Sequence, residues 1–194
     1  GALIADAQAP VFGRIQALWL YRNLARTHDV AWSADVARAL NTDPSPAVRK
    51  NAIRVGAELM ADTSAQSHIR ADGGDSPQKV TEEGVIARLQ DGNERVRTMA
   101  LMAAGELPVS PELTRAVVAA WPTLKGKWLQ SAAVGAAAKD PLRYLEAAFG
   151  ASDPAFLADF VPHVARVLAN KGEAQQVTGL LTFLAGQPAA VDGL

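Results

Sequence analysis

The sequence predicts an all-α fold of about ten short antiparallel helices, and three observations lead there. Apolar residues recur at three- and four-residue spacing along most of the chain, the spacing of one face of an α-helix. Alanine, the best helix former, is the most abundant residue at 39 of 194. Alternating apolar–polar runs are lacking, and the one Asp-Gly pair amid apolar residues, Asp91-Gly92, falls between two helical patterns rather than between β-branched runs.

Helices are expected at 11–28, 32–41, 46–61, 79–90, 94–107, 111–121, 124–138, 141–150, 154–170 and 173–186. The first is apolar nearly all round, with Ile15, Leu18, Trp19, Leu20, Tyr21 and Leu24, so it should be covered on both sides. Asn41-Thr-Asp-Pro-Ser-Pro46 separates the second from the third, because proline fits a first helical turn without losing a hydrogen bond. The third carries an apolar stripe at 48, 52, 55 and 59. The fifth, after Asp91-Gly-Asn93, repeats it at 96, 100, 103 and 107. Lys127-Trp128 with Ala132 marks the seventh, and Ser152-Asp-Pro154 opens a longer one running through Ala169. Residues 62–78 read as a long loop between repeats, a length uncommon in a compact domain.

Composition narrows the function classes. The chain carries 19 basic and 20 acidic side chains, a net charge of -1, evenly mixed between its halves. A dedicated nucleic-acid binder normally carries a basic excess, so no nucleic-acid partner is expected. Absence of cysteine excludes a thiol nucleophile, Cys-ligated zinc and covalent haem attachment. No apolar run of about 18 residues occurs, so no membrane insertion by this segment is expected.

The helices repeat. Sliding the chain by 48 residues superimposes Asp43 on Asp91, Val48 on Val96, Arg49 on Arg97, Ala52 on Ala100, Glu58 on Glu106 and Leu59 on Leu107. A period in the forties with two helices per unit is the signature of a helical array. Asp43-Pro-Ser-Pro-Ala-Val-Arg49 with Ala52 strongly resembles the HEAT-repeat motif, and Asp91-Gly-Asn-Glu-Arg-Val-Arg97 with Ala100 is a looser copy. The resemblance implies a right-handed α-α superhelix, a HEAT/armadillo-like solenoid. In its grammar the chain runs B, A–B, A–B, A–B, A–B, A, so 1–194 reads as one repeat domain excised from a longer chain.

The motif residues have physical roles. Val48 and Ala52, like Val96 and Ala100, should face the preceding helix, where alanine permits close approach. Asp43 and Asp91 should accept amide N–H groups at the next helix start. Arg49 and Arg97 should reach the aspartate of a neighbouring unit and form a ladder. That role is structural before it is functional.

Gly13-Arg-Ile-Gln-Ala-Leu-Trp-Leu-Tyr-Arg-Asn-Leu24, Asp43 to Arg49, Ala52-Ile-Arg-Val55 and the run from Lys127-Trp-Leu-Gln-Ser-Ala-Ala133 through Phe149 are similar to the helical segment of planctomycete- and verrucomicrobium-type membrane-bound dehydrogenases. That family places a sugar-dehydrogenase-like β-propeller before the segment and usually a cytochrome c domain after it. This chain has neither propeller strands nor a Cys-x-x-Cys-His haem site, so no catalytic residue carries over. The resemblance implies a periplasmic spacer between an oxidising and a haem domain; without it the expectation is a soluble cytoplasmic protein.

Chemistry-bearing groups are sparse. His28, His68 and His163 lie far apart and form no metal-ligand spacing. His28 reads as a partner of a helix C-terminal dipole and His163 as a surface or half-buried residue. Asp62, His68, Arg70, Asp72 and Asp75 beside Gly73-Gly74 lack the EF-hand spacing and its closing Glu, so a solvated insertion is the better reading than calcium. Glu82 and Glu83 are adjacent on a helix, point in different directions and cannot share a reaction centre. No nucleophile elbow, Walker loop or dinucleotide fingerprint occurs. No catalytic, cofactor or metal residue is therefore assigned, and no cofactor is expected.

Among Trp19, Trp32, Trp121 and Trp128, Trp19 is placed in the core and Trp128 is the least decided. Lys125, Lys127, Lys139 and Arg143 form a possible local basic patch. The leading expectation is a non-catalytic scaffold whose second helices present Arg54, Glu58, Met102 and Glu106 to another protein or a neighbouring domain. The alternative is a helical domain binding a small ligand or nucleic acid through the concave face or near the 61–78 loop.

Overall fold

Turn chemistry sets where the helices begin. The computed structural model describes residues 2–31, 34–70, 75–151, 155–171 and 173–186. Its helices are α1 Ala2–Ala5, α2 Val11–Ala25, α3 Ala34–Thr42, α4 Pro46–Ala61, α5 Thr63–His68, α6 Pro77–Arg88, α7 Glu94–Glu106, α8 Pro111–Ala120, α9 Lys127–Ala137, α10 Pro141–Phe149, α11 Ala155–Lys171 and α12 Ala174–Ala185. Proline opens α4, α6, α8 and α10. Its missing N–H would have been unbonded there anyway. Ser76, Asn93, Ser110 and Asp140 accept backbone N–H groups of the first turns of α6, α7, α8 and α10. Among the described residues the regular structure is helical apart from one two-residue parallel pairing, β1 Val30–Ala31 with β2 Ile69–Arg70, which ties two inter-helix connections together.

The helices lie in two rows. In one, α2 packs on α4, α4 on α7, α7 on α9 and α9 on α11. In the other, α1, α3, α6, α8, α10 and α12 follow one another. The core sits between the rows and holds Val48, Ala52, Val96 and Ala100, each fully buried. Neighbouring helices of a row come close where side chains are absent. A Cβ on Gly84 of α6 would fall 2.0 Å from Leu40 Cδ2 of α3, and one on Gly105 of α7 would fall 3.3 Å from the Cα of Ala136 in α9.

Four expectations need correction. Within the expected 62–78 loop, Thr63–His68 are helical: Asp62 caps α5 by accepting the N–H groups of Ser64 and Ala65, and Ala65 is buried. Six residues are too few for a periodicity to show in the sequence. The seventh predicted helix starts at Lys127 rather than 124, because Trp121–Thr123 forms a 3-10 turn and Gly126 sits at φ 90°, a left-handed conformation that favours glycine. Helix α2 is not covered all round: Leu18 and Ala25 are buried, whereas Phe12, Leu20 and Leu24 are exposed. Trp19 is half-buried, with its indole Nε1 donating to Asn51 Oδ1 at 3.0 Å. Trp32, Asp72, Gly73, Gly74, Asp153 and Pro154 lie outside the described residues.

Candidate interaction face

Stacking α2, α4 and α7 side by side brings their last turns to one edge of the row, and the charged residues of those turns meet there. Glu58 of α4 is the hub. Its carboxylate accepts from Arg22 of α2 (Nε to Oε2, 2.9 Å) and from Arg54 of its own helix (Nε to Oε1, 2.5 Å). Arg54 also reaches Glu106 of α7 through Nη1 at 3.1 Å. One step further out, Arg26 pairs with Asp62 at 2.8 Å. Lys139, in the turn after α9, donates Nζ to the carbonyls of Glu106 and Leu107 at 2.7 and 2.6 Å, satisfying the open end of α7.

The electrostatics follow from these contacts. The hydrogen bond to Glu58 raises the pKa of Arg54 against a smaller opposing effect of burial, with Glu106 and Glu58 adding attraction. The Ala65 amide holds the Asp62 carboxyl below its ordinary range, opposed by partial desolvation and helped by Arg26 and the Ser64 amide. The pairs are only part-buried, so each fixes geometry more than it adds stability. Arg22, Arg26, Glu58, Asp62 and Glu106 surround a shallow hollow of about 330 Å³. Three of the four predicted face residues, Arg54, Glu58 and Glu106, are thus joined in one network. Met102 sits beside them in sequence on α7, 46% exposed. Arg22, Arg26, Asp62 and Lys139 were not anticipated. Their signal was the i, i+4 pair Arg22/Arg26 facing the i, i+4 pair Glu58/Asp62 on the next helix of the row.

Near the opposite ends of the same helices runs a second, more deeply buried set of ion pairs. Arg14 of α2 pairs with Asp43 just before α4, both almost wholly buried. Arg49 of α4 pairs with Asp91 just before α7 in a bidentate arrangement, Nε to Oδ2 at 2.8 Å and Nη2 to Oδ1 at 2.9 Å. Arg49 also donates to the Asp43 carbonyl at 2.7 Å, and Arg97 does the same to the Asp91 carbonyl at 2.7 Å. Burial alone would raise the Asp91 carboxyl, but the bonds from Arg49 and the Asn93 amide, with Arg88 nearby, hold it below its ordinary value. The series stops at Arg97: Leu124, buried, stands three residues before α9 where Asp43 and Asp91 stand before α4 and α7, and Arg97 Nε has no hydrogen-bond partner among the described residues.

The other singled-out groups are scattered. His28 is exposed and hydrogen-bonds the Thr27 hydroxyl at 2.7 Å; His68 Nδ1 lies 3.0 Å from Asp29 Oδ1; His163 is exposed, its ring 6.2 Å from that of Trp121. Among the described residues no group of three or more His, Asp or Glu could hold a metal ion. Lys139 is taken up by the α7 carbonyls and Arg143 by Asp140 at 3.2 Å, so these two are not free for a basic patch with Lys125 and Lys127. Trp121 is buried against Phe160, whereas Trp128 is 72% exposed under Lys127. No described helix is long and apolar enough to cross a membrane. The chain matches no protein-family model, no curated protein and no solved structure.

Proposed function

We propose that this chain is a non-catalytic helical-repeat scaffold, a HEAT-like right-handed solenoid, that holds another protein or a neighbouring domain on the α2–α4–α7 face. The observation that carries the reading is the network Arg22–Glu58–Arg54–Glu106. It spans three successive helices, stays part-exposed, and so pre-orients charged groups beside the exposed thioether of Met102. Ordered charges next to an adaptable apolar side chain suit a protein surface, because the ordering cost is already met before a partner arrives. The 48-residue repeat and the two-row order of the helices support the solenoid form. In its narrower form the reading makes this the spacer between the catalytic and haem domains of a periplasmic dehydrogenase, which rests on the Arg14 to Leu24 and Asp43 to Arg49 resemblance.

The test is site-specific photo-crosslinking in the native host, with the probe at Met102 and, as a control, at Arg115 on the opposite row. A discrete adduct from position 102 and none from 115 is expected. Equal adducts from both positions, or none from 102, would reject the face.

A further inference from the structure

A second concavity, lined by other residues, does not depend on the interaction face. The end of α4, α5, β2, α6 and the start of α8 border an open hollow of about 590 Å³, a size that accepts a small organic ligand. Its walls divide by chemistry. Met60, Ile69, Pro77 and Ile86 supply an apolar lining. Among the described residues that line it, Glu82, Glu83 and Glu112 stand against one ammonium, Lys79, and that ammonium is held by Asp75 at 2.8 Å.

The carboxylates keep capacity for a further donor. Glu82 accepts one hydrogen bond, from the Ser110 hydroxyl at 2.6 Å, and Glu83 lies 3.9 Å from Lys79 Nζ. Glu112 is paired with Arg115 at 3.0 Å on an exposed edge. An ionised carboxylate offers about four acceptor sites, so Glu82 and Glu83 are far from saturated. Among the described residues, an anionic ligand would meet the Glu82 and Glu83 carboxylates, a Glu112 already paired with Arg115 and a cation already held by Asp75. A purely apolar one would leave the rim unused.

We propose that this hollow binds a small apolar molecule bearing one protonated amine, the hydrocarbon body against Met60, Ile69 and Ile86 and the ammonium on the Glu82 carboxylate, with Glu83 adding negative charge to the same rim. The two halves of the ligand match the two halves of the lining, and the charge of the rim selects the sign of the head group.

Calorimetric titration of the full chain with n-octylammonium, octanoate and 1-octanol, all below their aggregation concentrations, tests this. Saturable one-site binding is expected for octylammonium, weaker binding for octanol and none for octanoate. The double variant Glu82→Gln, Glu83→Gln should weaken octylammonium about fivefold or more and leave octanol unchanged, since each part-exposed pair is worth up to a few-fold in affinity. Filling the hollow by Ile86→Trp should abolish binding of both. Octanoate binding as tightly as octylammonium, no saturable amine binding, or an amine affinity indifferent to the glutamine variant would each overturn the proposal. Thermal melts of the variants separate loss of the site from loss of the fold, and the crosslinking result at Met102 is untouched by either outcome.

Discussion

Tyr144 shows how much a single atom can weigh in an alanine-rich core. Its ring is fully buried in α10, and its hydroxyl has no hydrogen-bond partner among the described residues. Burial, with Asp140 nearby, pushes its pKa well above the ordinary value of 10.0, so the hydroxyl stays neutral throughout the physiological range. A buried hydroxyl without a partner has lost its water and gained nothing in return. Tyr144→Phe should therefore raise stability by about 1 kcal/mol in urea unfolding; a loss of stability would mean the oxygen is bonded after all. Glu58 is the contrasting case. It serves two arginines from two helices, yet all three side chains are part-exposed, so Glu58→Gln should cost no more than about 1 kcal/mol. The value of Glu58 lies in holding Arg22 and Arg54 in place, which a binding assay would sense and a melting curve would barely register.

At the scale of the element, helices are joined by two devices, buried ion pairs and missing side chains. Asp91 → Ala would strand the Arg49 guanidinium and lose the acceptor for the Asn93 amide. It should cost about 3 kcal/mol, because removing one partner leaves an uncompensated, largely buried charge. Arg97→Ala should cost only about 1 kcal/mol, since Arg97 holds a carbonyl and no carboxylate. Urea midpoints for the two variants give the comparison, and the reverse order would sink the ladder as a stabilising series. Gly84 is the other device. It lets α6 approach α3 so closely that a methyl group would meet Leu40, itself buried. Gly84→Ala should destabilise by about 1–3 kcal/mol through overpacking, despite alanine's better helix propensity. A thermal midpoint unchanged or raised would show that Leu40 has room to turn.

For the molecule as a whole, the paired carboxylates decide how stability responds to acid. Asp62 and Asp91 both have carboxyl groups held below their ordinary 3.8 in the folded chain. The unfolded chain therefore binds protons first as pH falls. The stabilisation is complete above 3.8 and is lost as pH drops through the lowered folded values. Urea unfolding between pH 7 and pH 3 should show stability falling towards acid, and Asp91→Asn should be less stable at neutral pH with a shallower acid dependence. An Asp91→Asn curve parallel to that of the parent chain would place the acid sensitivity elsewhere. Buried ion pairs also tie one row together, since Arg14–Asp43 and Arg49–Asp91 each join a helix of the α2–α4–α7 row to the turn that launches the next.

What the sequence by itself determined is the local part of this protein. Most helix positions and the starts at Pro46, Pro111 and Pro141 could be read directly, because each depends on residues within about one or two turns of one another. Helix α1 and the Ser76-Pro77 start of α6 were missed. The 48-residue offset also exposed the equivalent places of Glu58 and Glu106, hence the candidate face. Helix α5 escaped because one and a half turns carry no measurable period, and because its stability comes from the Asp62 cap and the burial of Ala65 rather than from a stripe. Only the tertiary structure decided which charges meet. Arg14 and Asp43 are 29 residues apart and Arg49 and Asp91 42 apart, the second distance stretched by α5 and β2, so no constant spacing marks the ladder. It also decided that Lys139 closes the end of α7 instead of joining a basic patch, and that Leu124 ends the ladder. It decided, too, that Gln66, Ile69 and Pro77 stand with Met60 and Ile86 around a hollow. Pairing energies act through space between helices already formed, and linear order constrains them only weakly.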